Sequence, residues 1–211
     1  MHVVSVQVGS AQTLQVGTRE IETGINKIPA KEIALRIEGV EGDAVVNTRH
    51  HGGPDQAVYV YSAEDYAWWE QQLDQSLEPG TFGENLTVSE TPDVIRIGDR
   101  LIIGAVVLEM TAPRIPCATF ATRMGQANWI RRFRDAKRPG FYCWVTEKGT
   151  VRPGDRIQWA PALEGNVALH EMVEYFSASD LPAVDMQRTL ASPIAGRARA
   201  EYEARLNSQV G

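Results

Sequence analysis

The sequence predicts an α+β protein, mainly β, with a barrel-like body and a small helical appendage at its C-terminal end. Three observations carry this. The first half of the chain runs in short segments of alternating apolar and polar residues broken by glycine, the period of half-buried strands. Two stretches, "IRIGDRLII" (95–103) and "VRPGDRIQW" (151–159), echo each other, each placing Gly-Asp at a turn that opens an apolar-patterned strand. After Trp159 the break "APALEGN" is followed by helical periodicity up to the end of the sequence. The resulting organisation is a strand-rich body over residues 1–160 and three helices over 166–211.

The elements follow in order. Val4, Val6 and Val8 alternate with Val3, Ser5 and Gln7, predicting a first strand almost at the N-terminus. "KEIALRIEGV" (31–40) repeats the habit with Ile33, Leu35 and Ile37 on one face. "EGDAVVN" and "HHGGPD" turn the chain before the strand "QAVYVY" (56–61). Ser62, followed by Glu64 and Asp65, reads as the N-cap of a helix with Tyr66, Trp69 and Leu73 along one face. A second helix is expected around residues 128–136, followed by the strand "GFYCWV". In the tail, "VALHEMVEYF" and "AVDMQRTLA" are helices. Ser192 caps a third, with Pro193 at its first helical position and Ala195, Ala198, Tyr202 and Leu206 as its stripe.

Composition excludes several classes. With 43% hydrophobic and 23% charged residues, the 211-residue chain is an ordinary globular one. A net charge of −6 offers a polyanion no general attraction. The longest apolar run, Leu101–Leu108, is far short of the ~20 residues that span a bilayer. "MHVVSVQVGS" has no basic start and long apolar core. A cytoplasmic location, with neither nucleic acid nor membrane as partner, is the expectation. The two cysteines are read as thiols rather than a disulfide, since a chain of this size needs no staple.

Three constellations could carry chemistry. In "APRIPCATF" (112–120) Pro113 and Pro116 stiffen the chain around Cys117, and Arg114 nearby favours a thiolate. A buried packing role for that cysteine stands beside this reading. Cys143, among aromatics in "GFYCWV", reads as an inert core thiol. In "RHHGGPDQAVYVY" (49–61) adjacent His50 and His51 lack zinc-ligand spacing, and Asp55 reads either as turn chemistry or as part of a site. In "GTFGENL" (80–86) the glycines, with Thr81, Gly83, Glu84 and Asn85, could form a nest of N–H groups for a phosphate, with Lys27 and Arg49 adding charge. Solvated surface is the alternative for both cations.

Taken in order, "GINKIP", "GVEGDAVVNTRHHGGPDQAVYVY", "GTFGENL", "IGDRL" and "PRIPCATF" resemble the MOSC domain, the molybdenum-cofactor sulfurase C-terminal family, in its stand-alone YiiM-like branch. The resemblance covers about residues 1–160, and the tail resembles that branch's three-helix extension. It implies a barrel-like fold that binds the molybdenum cofactor, a molybdopterin with one mononuclear metal. Cys117 would be the metal ligand, as suits a soft thiolate. His51 and Asp55 would lie near the metal as catalytic candidates. Lys27, Arg49, Arg114 and the turn bearing Thr81, Gly83 and Glu84 would grip the cofactor's phosphate and pterin, and Asn85 would offer an amide to the pterin edge. An association with pyridoxal phosphate binding also comes with the family. After the cysteine this chain has Ala118 and Thr119 where some relatives carry a tryptophan–lysine pair.

The activity so implied is reduction of N-hydroxylated small molecules, hydroxylaminopurines and amidoximes, to amines or amidines. Two cysteines cannot hold a four-thiolate iron–sulfur cluster and no dinucleotide fingerprint occurs, so a separate reductase must supply electrons. The alternatives are a cofactor or sulfur carrier without turnover, and a thiol hydrolase pairing Cys117 with His50 or His51. Homodimer formation is left open.

Overall fold

The computed structural model describes residues 1–46 and 52–210. Its centre is an eight-stranded sheet. In chain order the strands are β1 (Val3–Gly9), β2 (Gln12–Val16), β3 (Arg19–Thr23), β4 (Lys27–Ala30), β5 (Ile33–Arg36), β6 (Gly39–Val40), β7 (Val58–Ser62) and β8 (Leu86–Val88). They continue as β9 (Arg100–Ile103), β10 (Val106–Pro113), β11 (Phe141–Glu147), β12 (Gly149–Val151) and β13 (Ile157–Ala160). The sheet runs β13-β9-β10-β11-β7-β8-β1-β4; β12-β5-β6 form a small second sheet and β2-β3 a hairpin. The sheet curls back on itself, because residues 1–3 meet the start of β13. His2 bridges Arg156, and Val3 N–H donates to the Asp155 carbonyl at 2.9 Å. This is the barrel-like body the alternation predicts.

Helix α1 (Ala63–Leu73) starts where expected, with the Ser62 hydroxyl accepting the Asp65 N–H. It connects β7 to β8, which pair in parallel, a crossover that the strand-turn reading of this region does not include. Helices α2 (Ala118–Met124) and α3 (Trp129–Ala136) follow β10. The two Gly-Asp turns are built alike. The Asp99 and Asp155 carboxylates accept N–H bonds from Arg96 and Arg152 respectively, glycine takes φ of 92° and 90° at Gly98 and Gly154, and the strands they launch, β9 and β13, pair with each other.

The tail forms α4 (Leu169–Ser177), α5 (Ala183–Ala191) and α6 (Gly196–Val210). Their apolar residues Leu169, Met172, Met186 and Tyr202, with Leu181 from the connection between α4 and α5, join the same buried cluster as Val6, Leu101 and Phe141 of the sheet. A second cluster, of Tyr59, Tyr61, Tyr66, Trp69, Phe82, Phe120, Trp129 and Phe133, fills the space among β7, α1, α2 and α3. No described helix is long and apolar enough to cross a membrane.

Three local expectations are corrected. Between Val3 and Ser5 the pairing of β1 with β8 shifts register, so Val3 is buried and Val4 exposed, since one extra residue flips every later side chain. β5 ends at Arg36, which leaves Ile37 exposed in the turn. Ser192 closes α5 instead of opening α6: its hydroxyl donates to the Arg188 carbonyl and accepts the Val167 N–H. α6 begins four residues later, at Gly196.

Candidate active site

Where β10 ends, Pro113 still pairs with Phe141; residues 114–116 then leave the sheet and Cys117 stands immediately before α2 with extended φ −124° and ψ 172°. Pro116 bars the preceding residue from helical backbone, so no helix can run into α2 through Ile115. The Cys117 thiol is half-buried and lines a cavity of about 170 Å³, with Lys27, Asp43, Gln56, Tyr59 and Arg114 among its other walls.

Arg114 turns inward and is 6% exposed. Its guanidinium carbon lies 4.7 Å from the Tyr59 ring centroid and 4.4 Å from that of Phe120, a double cation–π seat. Nη1 is 3.5 Å from the Tyr142 hydroxyl. Its Nε is buried with no hydrogen-bond partner. Burial works against the charge, but Tyr142, Tyr59, Cys117 and Glu84 around it outweigh that effect and hold the pKa above the ordinary arginine value. The cavity therefore has a fixed positive charge beside the thiol.

Lys27 is used differently. Its ammonium sits 2.6 Å and 2.5 Å from the two Asp43 carboxylate oxygens, with side chains 8% and 5% exposed. Asp43 also accepts the Gly9 N–H at 2.7 Å and the Asn85 side-chain amide at 2.9 Å. Burial lowers the Lys27 pKa despite the carboxylate beside it. The pair is close to neutral, so Lys27 lines the cavity without offering it a spare charge. Asn85 lines it too, yet its amide is engaged: Nδ2 donates to Asp43 and to the Gln7 carbonyl, and Oδ1 accepts the Tyr59 N–H. The amide that the resemblance assigns to a pterin edge is tied into the wall.

The phosphate nest at "GTFGEN" is also corrected. Gly80 N–H donates to Glu84, Thr81 N–H to the Tyr66 hydroxyl, and Gly83 N–H to the Gly80 carbonyl, so these donors are consumed within the turn. Thr81 hydroxyl donates to Glu78. Glu84 is fully buried and its Oε1 accepts from Tyr66, Gly80 and Thr87; burial raises its pKa. A buried carboxyl is no host for phosphate. Gly83 does border the cavity, at φ 75°, where a Cβ would stand 3.1 Å from Ile25 and 3.6 Å from Arg114. Its glycine serves close packing.

Of the remaining sequence candidates, Arg49 and His51 lie outside the described residues. Asp55 is not in the cavity wall; its carboxylate accepts the Gly196 N–H at 2.5 Å, at the start of α6. The structure thus brings together Cys117, Arg114, Lys27, Asn85 and Gly83, and leaves Thr81, Glu84 and Asp55 elsewhere. Asp43, Gln56, Tyr59 and Tyr142 were not singled out from sequence. The period-2 alternation of "AVYVY" could have set Tyr59 on the face opposite Val58 and Val60, but nothing local marks Asp43 as the partner of a lysine sixteen residues earlier.

Cys143, by contrast, is completely buried in β11, and burial, reinforced by Glu109, pushes its thiol far above the usual range. No disulfide joins it to Cys117. Among the described residues no three His, Cys, Asp or Glu side chains cluster as ligands for a bare metal ion.

Fold and site together define a sheet-rich α+β protein with a cavity lined by one thiol and one buried guanidinium. The chain belongs to the MOSC domain family: residues 47–158 match that family's model. It is 36% identical over 187 residues to YflK of Bacillus subtilis (strain 168), covering 87% of this chain and 85% of that protein. The crystal structure of YiiM from Geobacillus stearothermophilus has the same fold, with a TM-score of 0.80 over 97% of this chain and 98% of that one at 24% identity. A Gibberella moniliformis (strain M3125 / FGSC 7600) protein named Reductase is 32% identical over 126 residues, 56% of this chain and 22% of its own length. MOSC domains are associated with the molybdenum cofactor.

The residues present suit that group. Arg114 Nε is a buried donor without a partner and Gln56 Oε1 a buried acceptor without one, and both residues line the cavity with the Cys117 thiol. A phosphorylated pterin with a thiolate-ligated metal needs a cation, hydrogen-bonding groups and a soft ligand.

Proposed function

We propose that this chain binds the molybdenum cofactor through Cys117 and reduces N-hydroxylated compounds to amines or amidines, with electrons from a separate reductase. The observation that carries the reading is the convergence of Cys117 and Arg114, with its unpartnered Nε, on one cavity. Cys117 would ligate the metal, and Arg114 would pair with the phosphate. Tyr59 and Phe120 keep that guanidinium in place, and Lys27–Asp43 makes a rigid, nearly neutral wall. The bound cofactor would supply two-electron redox chemistry. The overall change balances as R–NHOH plus two electrons and two protons giving R–NH2 and water. The protein's part is to orient the cofactor and shield it from side reactions.

The test is anaerobic turnover of benzamidoxime and a hydroxylaminopurine by cofactor-loaded protein, with reduced viologen as the electron donor. Formation of benzamidine and aminopurine, lost in Cys117→Ala, is the expected result. Stoichiometric molybdenum with no turnover of either compound contradicts the enzyme reading and favours a carrier.

A further inference from the structure

One of the junctions between the body and the C-terminal helices lies directly behind the pocket wall, next to Gln56 and Ala57. Between Met110 and Ala112 the pairing of β10 with β11 shifts register, and Thr111, completely buried, falls in the irregularity. A bulge frees groups that a regular ladder would consume. Thr111 uses its freed carbonyl and its hydroxyl in three directions. Its carbonyl accepts the Ala195 N–H at 3.1 Å. Its hydroxyl donates to the Asp55 carbonyl at 2.6 Å and lies 3.1 Å from the Tyr142 carbonyl. Asp55 closes the circuit, its carboxylate accepting the Gly196 N–H at the first residue of α6, 141 positions away. A carboxylate there also meets the positive end of the helix dipole.

Asp55 belongs to a three-residue 3-10 turn, Pro54–Gln56, with no buried residue. Such a turn has little stability of its own, yet Gln56 and Ala57 that follow Asp55 line the cavity, as does Tyr142. Thr111 and α6 hydrogen-bond the turn from outside it.

We propose that Asp55 is a positioning residue, which fixes the Gln56–Ala57 wall of the pocket by bonding it to the N-terminus of α6, so that the C-terminal helix is part of the pocket's construction. The coupling itself is independent of the cofactor; its effect on cofactor retention rests on the proposed function. Hydrogen exchange on the full-length chain tests it, comparing the parent with Asp55→Ala and Asp55→Asn. Losing a cap contact speeds local opening about fivefold. Peptides covering 52–61 in Asp55→Ala should exchange faster by about that factor, and those of β9 and β13 at the parent rate. Asn, whose amide oxygen can still accept the Gly196 N–H, should restore exchange to within about twofold of the parent. Molybdenum per chain should fall in the alanine variant and recover in the asparagine variant. Unchanged exchange at 52–61, or acceleration confined to α6, overturns the proposal. A parent that binds no molybdenum sinks the proposed function alone, because the exchange comparison still decides the coupling.

Discussion

Lys27 and Arg114 are both buried cations on the wall of one cavity, but Lys27 has a carboxylate at 2.5 Å whereas Arg114 has two aromatic faces, a distant phenol and an unpartnered Nε. The first arrangement is complete within the fold. The second lacks an anion. A buried ion pair whose partners are held by further hydrogen bonds, as Asp43 is by Gly9 and Asn85, fixes structure; a buried guanidinium without a carboxylate is costly unless something else compensates it. The two cysteines repeat the contrast, with Cys143 sealed in β11 and Cys117 half-buried at the cavity. Side chains sealed into the fold and side chains that border the cavity thus stand side by side.

Substitutions can break this comparison. The largest effect on stability is expected at Asp43→Ala, which strands the Lys27 charge and should cost about 3–5 kcal/mol in denaturant unfolding. Arg114→Met should do the opposite: little change in thermal stability, since the substitution strands no charge and puts an apolar chain of similar volume between the Tyr59 and Phe120 rings, with cofactor affinity down about 10–100-fold. Arg114→Lys should not rescue it, because an ammonium cannot reproduce the planar stack. A loss of stability at Arg114→Met matching that at Asp43→Ala would show that both cations serve the fold alone.

Smaller effects sharpen the picture. Cys143→Ala should cost about 1 kcal/mol for a vacated methyl-sized space and leave cofactor content unchanged. Glu84→Gln probes the turn that the sequence suggested as a phosphate nest. The folded-state pKa of Glu84 is raised, so its stabilising contribution is complete below the unfolded carboxylate value and is lost as pH rises through the raised one. The parent should therefore lose stability relative to Glu84→Gln across that interval, seen as a widening difference in Tm from pH 4.5 upward. A difference that is flat with pH contradicts a raised Glu84 pKa.

What the sequence conveyed was local. Ser62 and its acidic followers mark the start of α1, the two Gly-Asp turns announce equivalent strand openings, and the prolines around Cys117 place that thiol in a connecting segment. Each depends on residues within three or four positions of one another. The failures depend on distance. Lys27 meets Asp43, Asp55 meets Gly196, and Ser192 meets Val167 through the packing of separate elements, which no local pattern encodes. The "GTFGEN" glycines looked like a ligand loop because a nest and a tightly packed turn share a composition; only the destinations of the N–H groups separate them.

The most direct test of the account is the molybdenum content of the parent chain, Cys117→Ala and Cys143→Ala, each purified from a host that makes the cofactor. The account predicts near-stoichiometric metal in the parent and in Cys143→Ala, and almost none in Cys117→Ala. Equal metal in all three, or none in any, contradicts it.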